Sequence, residues 1–262
     1  MARTQYVDVA GKRTRVLVGG EGAPLVYLHG GALDVEWGEA HERLAERRTV
    51  WAPAAPGFAD SSGLERIDGI FDLALHTVEV LDVLGLERAP LVGVSFGGWV
   101  AAEVAALWPA RVERLVLCDA LGLWLDEAPP FELFATPPPE LAPRLFFDQE
   151  HPIPAMMRAW TPTTPVPESL LLPQLAAMEA MARVGWNPYL HDPKLPERLR
   201  RVSAPALVLW GRHDGIVPPP YAERWAALLG NARIGWLEAC GHLPPVERPA
   251  AFAEAVHGFL AA

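Results

Sequence analysis

The chain has 262 residues, of which 51% are hydrophobic and 21% charged, enough apolar sequence for one domain with a sizeable core. Its formal net charge of -10 argues against nucleic acid as a partner, because phosphate backbones are negative too. The two cysteines form no CxxC pair or cysteine–histidine cluster, so we expect neither a metal site nor a disulfide framework.

The sequence contains no membrane-spanning pattern. No stretch approaches the roughly 18 uncharged apolar residues that a bilayer requires. The first residues also lack the apolar run of a signal peptide. We therefore expect a cytoplasmic protein with no membrane span.

The first half of the chain alternates strand and helix patterns. It begins with a predicted hairpin of two strands around Gly11. The predicted strands are 4–9, 13–18, 25–28, 49–52, 91–94 and 112–117, with helices at 37–47, 72–84 and 100–107. Short apolar runs of this kind are typical of strands buried on both faces. This alternation predicts an α/β fold, with a parallel sheet covered by helices on both sides.

The alternation breaks between residues 122 and 196, which are rich in proline and aromatic residues. We interpret this segment as an inserted, mostly helical cap with helices near 154–160 and 170–184, and an interdomain linker as the weaker alternative. The core is then 1–121 and 197–262. Strands at 206–210 and 232–237 and helices at 221–229 and 249–260 complete it.

Ser95 lies in the sequence Gly-Val-Ser-Phe-Gly, a G-x-S-x-G motif, between a predicted buried strand and a helix. This setting is that of a nucleophile elbow, in which a strained turn exposes the serine hydroxyl above the end of the sheet. The alternative is a serine that merely caps the helix. A serine hydroxyl needs a neighbouring base to become nucleophilic.

His242 is the best candidate for that base. It follows the last predicted strand, and so lies on a loop at the carboxyl end of the sheet. His151 and His191, in the predicted cap, are the alternatives.

Asp214 directly follows the strand 206–210 and is the best candidate to orient the imidazole. The chain order is then Ser95, Asp214, His242, each on a loop after a predicted strand. Asp119, which also ends a strand, is the alternative acid.

Two backbone N–H groups should stabilise the oxyanion formed during attack on a carbonyl. Phe96, the residue after the nucleophile, is expected to supply one. Gly31, in the His-Gly-Gly loop after the strand 25–28, is the favoured second donor and Ala32 the alternative.

The sequence resembles the α/β-hydrolase family. The resemblance rests on the His-Gly-Gly loop, Pro-Gly-Phe at 56–58, the elbow at 93–98, Gly-Arg-His-Asp at 211–214 and the Gly-His pair at 241–242. It implies an eight-stranded, mostly parallel sheet, a cap inserted after the sixth strand, and the roles given above. Serine at the elbow argues against the branches that use aspartate there. Many relatives have methionine or leucine where this chain has Phe96, whose ring would shape the pocket.

We expect a carboxylesterase that cleaves hydrophobic esters through an acyl-enzyme on Ser95, needing no cofactor and acting as a monomer or homodimer. The substrate pocket should be apolar, between cap and strand ends. Its candidate residues are Trp37, Trp124, Phe131, Phe134, Met156, Trp160, Val217 and Leu243. A carbon–carbon bond hydrolase of diketone-like compounds and a non-catalytic ligand receptor remain alternatives, as do lactone, thioester and perhydrolysis chemistry.

Overall fold

An eight-stranded sheet forms the centre of the molecule, whose computed structural model describes residues 2–160, 163 and 167–262. The strands are β1 (Arg3–Val9), β2 (Lys12–Gly19), β3 (Pro24–Leu28), β4 (Thr49–Pro53), β5 (Ala89–Val94), β6 (Val112–Cys118), β7 (Ala206–Gly211) and β8 (Ala232–Leu237). The helices are α1 (Glu39–Ala45), α2 (Ile70–Val83), α3 (Ser95–Leu107), α4 (Pro138–Leu145), α5 (Pro152–Ala159), α6 (Glu168–Gly185), α7 (Leu195–Leu199), α8 (Pro220–Leu229), α9 (Pro244–Glu247) and α10 (Pro249–Ala261). Single turns of 3₁₀ helix cover Leu64–Arg66 and Pro109–Arg111.

The strand order is β1-β2-β4-β3-β5-β6-β7-β8. Strand β2 pairs antiparallel with β1 and β4, and all the other pairs are parallel. The predicted mostly parallel, eight-stranded sheet is therefore confirmed. Because the carboxyl ends of parallel strands meet at one edge, the loops after β3, β5, β6, β7 and β8 converge there.

The two faces of the sheet carry separate apolar cores. Alternate residues of β6 show this division, since Leu115 and Leu117 pack on one face and Val116 and Cys118 on the other. The first face is covered by α2, α3 and α8, and the second by α1 and α10. Strands enclosed in this way explain the short, wholly apolar runs of the sequence.

The segment that joins β6 to β7, residues 119–205, contains the helices α4 to α7. The sequence predicts α5 and α6, within a few residues of their observed bounds, but misses α4 and α7. Helix α4 was missed because three consecutive prolines, 137–139, look like a helix breaker; two of them occupy its first turn, where proline costs no hydrogen bond. The predicted insertion at 122–196 includes residues 161, 162 and 164–166, which lie outside the described residues.

Helices long and apolar enough to cross a bilayer do not occur in the described part of the chain.

Candidate active site

Ser95 is the first residue of α3, immediately after β5, and it has a φ of +49°. A non-glycine residue in this left-handed region is strained, as expected for a nucleophile elbow. The neighbouring glycines make the turn possible. A Cβ on Gly93 would lie 2.4 Å from the carbonyl oxygen of Gly97, and one on Gly97 would lie 2.1 Å from that of Leu28. The strand and the helix therefore approach each other more closely than any side chain would allow.

The three residues predicted as a triad meet at the carboxyl edge of the sheet. His242 Nε2 lies 2.8 Å from Ser95 Oγ, and His242 Nδ1 lies 2.8 Å from Asp214 Oδ2. All three residues are buried. A base within hydrogen-bond distance of a hydroxyl, itself oriented by a carboxylate, is the arrangement that activates a serine for attack on a carbonyl.

The other oxygen of Asp214 is fixed by the backbone. Asp214 Oδ1 accepts hydrogen bonds from the N–H groups of Ile216 and Val217, at 2.8 and 2.9 Å. Val217, expected to line the pocket, is instead fully buried beneath this loop, and its carbonyl accepts a hydrogen bond from the Trp210 indole. Its contribution to the site is the backbone N–H that orients the carboxylate.

The end of α4 holds the loops that carry Asp214 and His242. The His242 N–H donates to the carbonyl of Leu145 at 2.7 Å, and the Gly215 N–H donates to that of Arg144 at 3.1 Å. Two backbone carbonyls of one helix thus hold the loops of His242 and Asp214 together. No sequence pattern indicates this contact, because α4 itself is not predicted.

Asp119, the alternative acid of the sequence analysis, lies beside the triad but does not replace Asp214. A carboxylate oxygen of Asp119, one of Asp214 and a ring nitrogen of His242 lie within 4.8 Å of one another, and all three residues are buried. These atoms are already engaged in hydrogen bonds, including one from the Gly211 N–H to Asp119 Oδ1 at 2.9 Å. We therefore interpret the group as a hydrogen-bonded cluster rather than a set of metal ligands.

The loop after β3 is organised by Asp34, which sequence reasoning missed. This buried carboxylate accepts hydrogen bonds from the N–H groups of Gly30 and Gly31 and from the Tyr27 hydroxyl, all at 2.9–3.0 Å. Burial raises the pKa of Asp34, and these donors oppose the rise. The Gly31 N–H, the favoured second oxyanion donor, thus points to Asp34 in this structure. Gly31 and the alternative, Ala32, both line the cavity beside Ser95, and no acceptor is recorded for the Ala32 N–H among the described contacts.

Phe96 follows Ser95 in the first turn of α3, where backbone N–H groups have no acceptor within the helix. Its ring, however, does not shape the cavity next to Ser95. The ring is buried against Phe58 and Trp99 and lines a separate small cavity of about 30 Å³. The expectation that this side chain forms the pocket was wrong, because the backbone of the elbow turns it toward the core.

His29 of the His-Gly-Gly loop is buried as well and is not a base for Ser95. Its Nε2 accepts a hydrogen bond from the Ala55 N–H at 3.0 Å, which requires the tautomer with hydrogen on Nδ1. Burial, followed by the charge of Arg15, lowers the pKa of His29 to about 3. The ring stays neutral and links the loop after β3 to the loop after β4.

A cavity of about 90 Å³ opens beside Ser95 and His242. Its remaining walls come from the loop after β3, from α4 and α6, and from Leu133 and Leu243. The side chains of α4 and α6 that line it are Leu141, Leu145, Gln174, Met178 and Met181. Apart from His242, the described residues around it carry no titratable side chain. The cavity is suited to an uncharged, apolar group next to the hydroxyl.

Of the eight predicted pocket residues, only Leu243 lines this cavity. Trp37 stacks on His41 at the other face of the sheet. Trp124 contacts His191 with the two rings tilted, and Phe134 contacts Trp186 and Tyr189. The aromatic side chains of the 119–205 segment thus pack largely on one another.

Phe131, Met156 and Trp160 also lie outside the cavity lining. The Phe131 ring faces the Arg144 guanidinium, 4.7 Å from its centre, and its N–H donates to the carbonyl of Ile216. Met156 and Trp160 lie on or directly after α5, partly buried. Helix α5 contributes no side chain to the walls beside Ser95.

Fold and site together define the class of protein. Residues 25–255 match the Alpha/beta hydrolase family, and the chain belongs to that family.

Within it, the chain is 31% identical to a 2-hydroxymuconate semialdehyde hydrolase of Pseudomonas sp. (strain CF600), over 97% of this chain and 93% of that protein. In structure it is similar to the meta-cleavage product hydrolase CumD of Pseudomonas fluorescens IP01, with a TM-score of 0.81, 23% identity and coverage of 98% and 97%. A bacterial membrane phospholipase A gives a TM-score of 0.80 at 25% identity, covering 99% of this chain and 86% of that one.

Proposed function

We propose that the protein is a serine hydrolase that cleaves a carbon–carbon bond next to a ketone in a diketone-like compound. The hydrogen-bonded series Ser95, His242, Asp214 carries the hydrolase part of the proposal. The similarity to the 2-hydroxymuconate semialdehyde hydrolase supports the bond type. This revises the expected carboxylesterase, which becomes the second candidate.

The chemistry follows from the geometry. Ser95 Oγ attacks the ketone carbonyl while His242 Nε2 takes its proton, and Asp214 stabilises the imidazolium that forms. The Phe96 N–H meets the oxyanion. We assign the second donor to Ala32, because the Gly31 N–H is already held by Asp34.

Collapse of the tetrahedral intermediate breaks the carbon–carbon bond. The leaving carbanion is stabilised when it is conjugated to a second carbonyl, as in a vinylogous diketone, and the imidazolium of His242 returns the proton to it. The acyl group stays on Ser95 as an ester until water, activated by His242, attacks it and releases the acid.

We propose that the 119–205 segment acts as the cap over this site, since α4 and α6 close the cavity beside Ser95. The apolar cavity would hold the acyl group that is transferred to Ser95. Its volume of about 90 Å³ fits a short acyl chain.

One observation favours the second candidate, hydrolysis of an uncharged carboxylic ester. The cavity beside Ser95 offers no arginine or lysine, among its described residues, to bind a carboxylate such as that of a muconate-type substrate. The steps are the same for an ester, except that an alcohol leaves in place of a carbanion.

The experiment compares a 2-hydroxy-6-oxo-dienoate, followed by loss of its conjugated chromophore, with a short-chain 4-nitrophenyl ester. Ser95→Ala should lower kcat/KM by about 10³-fold or more. The control Ser203→Ala changes an exposed serine before β7 and should leave activity unchanged. Unfolding curves of both variants should match that of the parent.

Higher kcat/KM for the dienoate supports the proposal, and turnover of the ester alone replaces it with the second candidate. Activity that survives Ser95→Ala refutes the assigned nucleophile. Binding without turnover of either compound identifies a ligand receptor and refutes both candidates.

A further inference from the structure

Asp119 is a fully buried carboxyl that the proposed reaction does not use. It follows β6 directly and has a φ of +47°, in the same left-handed region as Ser95. Its N–H donates to the carbonyl of Leu209 on β7 at 3.1 Å, which fixes the turn. This conformation puts its carboxyl beside Asp214 and His242, within the 4.8 Å cluster described above.

The hydrogen-bond donors around the two carboxyl groups are unequal. Asp214 accepts from two backbone N–H groups on one oxygen and faces His242 Nδ1 with the other. Asp119 accepts a hydrogen bond from the backbone N–H of Gly211 and a weaker one from the Cys118 S–H, at 3.2 Å. Because N–H donors stabilise a carboxylate, Asp214 is the better site for negative charge.

Asp119 and Asp214 have carboxyl oxygens within 4.8 Å of each other, closed off from water. If both groups were ionised, they would repel each other strongly. Burial, followed by the charge of Asp214, accordingly raises the pKa of Asp119 well above its ordinary value. The other titratable groups that face it are Cys118 on β6 and Cys240 and His242 on the loop after β8. Burial raises the pKa of both thiols, so they remain neutral. Near Cys240, the charges of Glu247 on α9 and of Arg248 act in opposite directions on the pKa of that thiol.

We propose that Asp119 is protonated at neutral pH and donates a hydrogen bond to Asp214, which makes it a positioning residue for the acid of the triad. The inference rests on the proposed function, in which Asp214 orients His242. A neutral carboxyl holds Asp214 in place without adding a second negative charge near the imidazole. It also keeps the charge of the cluster at a single negative unit, which the imidazolium then neutralises during attack.

The decisive variant is Asp119→Asn, because the amide can donate to Asp214 and accept from Gly211 as the protonated acid does. NMR titration of the His242 imidazole compares it with the parent and needs no substrate. We expect the same titration midpoint in both proteins. If Asp119 is ionised in the parent, loss of its charge lowers the midpoint by about one pH unit or more, which overturns the inference.

A matched control is Glu103→Gln, which changes another buried carboxyl. Glu103 lies on α3, two turns after Ser95. This variant should also leave the His242 midpoint unchanged. A second measurement, infrared spectroscopy, needs no variant that changes the packing. The infrared spectrum of the parent at neutral pH should contain a protonated-carboxyl C=O band from ¹³C-labelled aspartate that Asp119→Asn lacks. Without such a band, or with one that persists in Asp119→Asn and so belongs to another aspartate such as Asp34, the inference is overturned.

Activity tests the positioning role separately. Asp119→Asn should keep kcat/KM within about threefold, whereas Asp119→Ala removes a donor to a buried carboxylate and should lower it by about 10- to 100-fold. Parent-level activity in Asp119→Ala refutes positioning. If the parent turns over no substrate, the proposed function fails, while the titration still decides the protonation of Asp119.

Discussion

His76 on α2 should make the stability of the protein depend on pH. It is 4% exposed, and burial, followed by the charge of Lys12, lowers its pKa from 6.5 to about 3. Its Nδ1 has no hydrogen-bond partner, and its Nε2 lies 3.4 Å from the Thr14 hydroxyl. Below pH 6.5 the unfolded chain binds a proton that the folded chain does not. The contribution of the neutral His76 ring to the free energy of unfolding is therefore complete above pH 6.5 and is lost as the pH falls toward 3.

The loss of unfolding free energy from this one group between pH 7.5 and pH 5 is about 2 kcal/mol. His76→Leu removes the titrating group and puts an apolar side chain among the apolar neighbours of the small cavity next to α2. Urea unfolding at the two pH values, followed by circular dichroism, measures the difference. All other titrating groups, including buried His29 and His41, are common to both proteins and cancel.

The parent should therefore lose about 2 kcal/mol more than His76→Leu on acidification. His76→Gln, which keeps a polar side chain, should behave like the leucine variant, so that altered packing cannot account for the result. An equal loss in all three proteins would show that the folded chain protonates His76 as readily as the unfolded one, and would refute the reasoning.

Other variants test the elbow, the loop after β3 and the cavity. Gly97→Ala forces a Cβ to 2.1 Å from the Leu28 carbonyl oxygen and should cost about 4 kcal/mol or more in a urea titration, whereas Gly38→Ala, with open space around it, should cost little. Asp34→Ala leaves three donors without an acceptor, two of them buried and that of Gly31 half-buried, and should cost about 3 to 5 kcal/mol in the same assay; Asp34→Asn should cost clearly less. Met178→Trp fills the cavity beside Ser95 and should raise KM most for long acyl chains in a series of esters; a uniform effect would place the acyl group elsewhere.

The sheet and the meeting of the three candidate catalytic residues were predictable because their signals are local. Strands buried on both faces give apolar runs, and each catalytic candidate directly follows such a run. Once the strands were placed, the convergence of Ser95, Asp214 and His242 at one edge followed from parallel topology alone. The observed distances of 2.8 Å agree with that expectation.

The cavity was not predictable in the same way. The sequence shows which residues of the 119–205 segment are apolar, but not which face of each helix points toward Ser95. Aromatic side chains such as Phe134 and Trp186 pack on each other, and leucine and methionine from α4 and α6 form the walls. Asp34 was missed for a different reason: a single acid in a loop gives no sign that it will be buried against backbone N–H groups.

The two carbonyls at the end of α4 have a consequence for how this enzyme scaffold can change. Helix α4 lines the cavity, yet Arg144 and Leu145 also anchor the loops of the acid and the base. A substitution that moves this helix to admit a new substrate therefore also displaces the candidate catalytic residues. Helix α6 faces the same cavity through Gln174, Met178 and Met181, and among the described residues it makes no backbone hydrogen bond of this kind to the loops of Asp214 and His242. Divergence in specificity, whether natural or by directed evolution, should accumulate on α6 and spare α4.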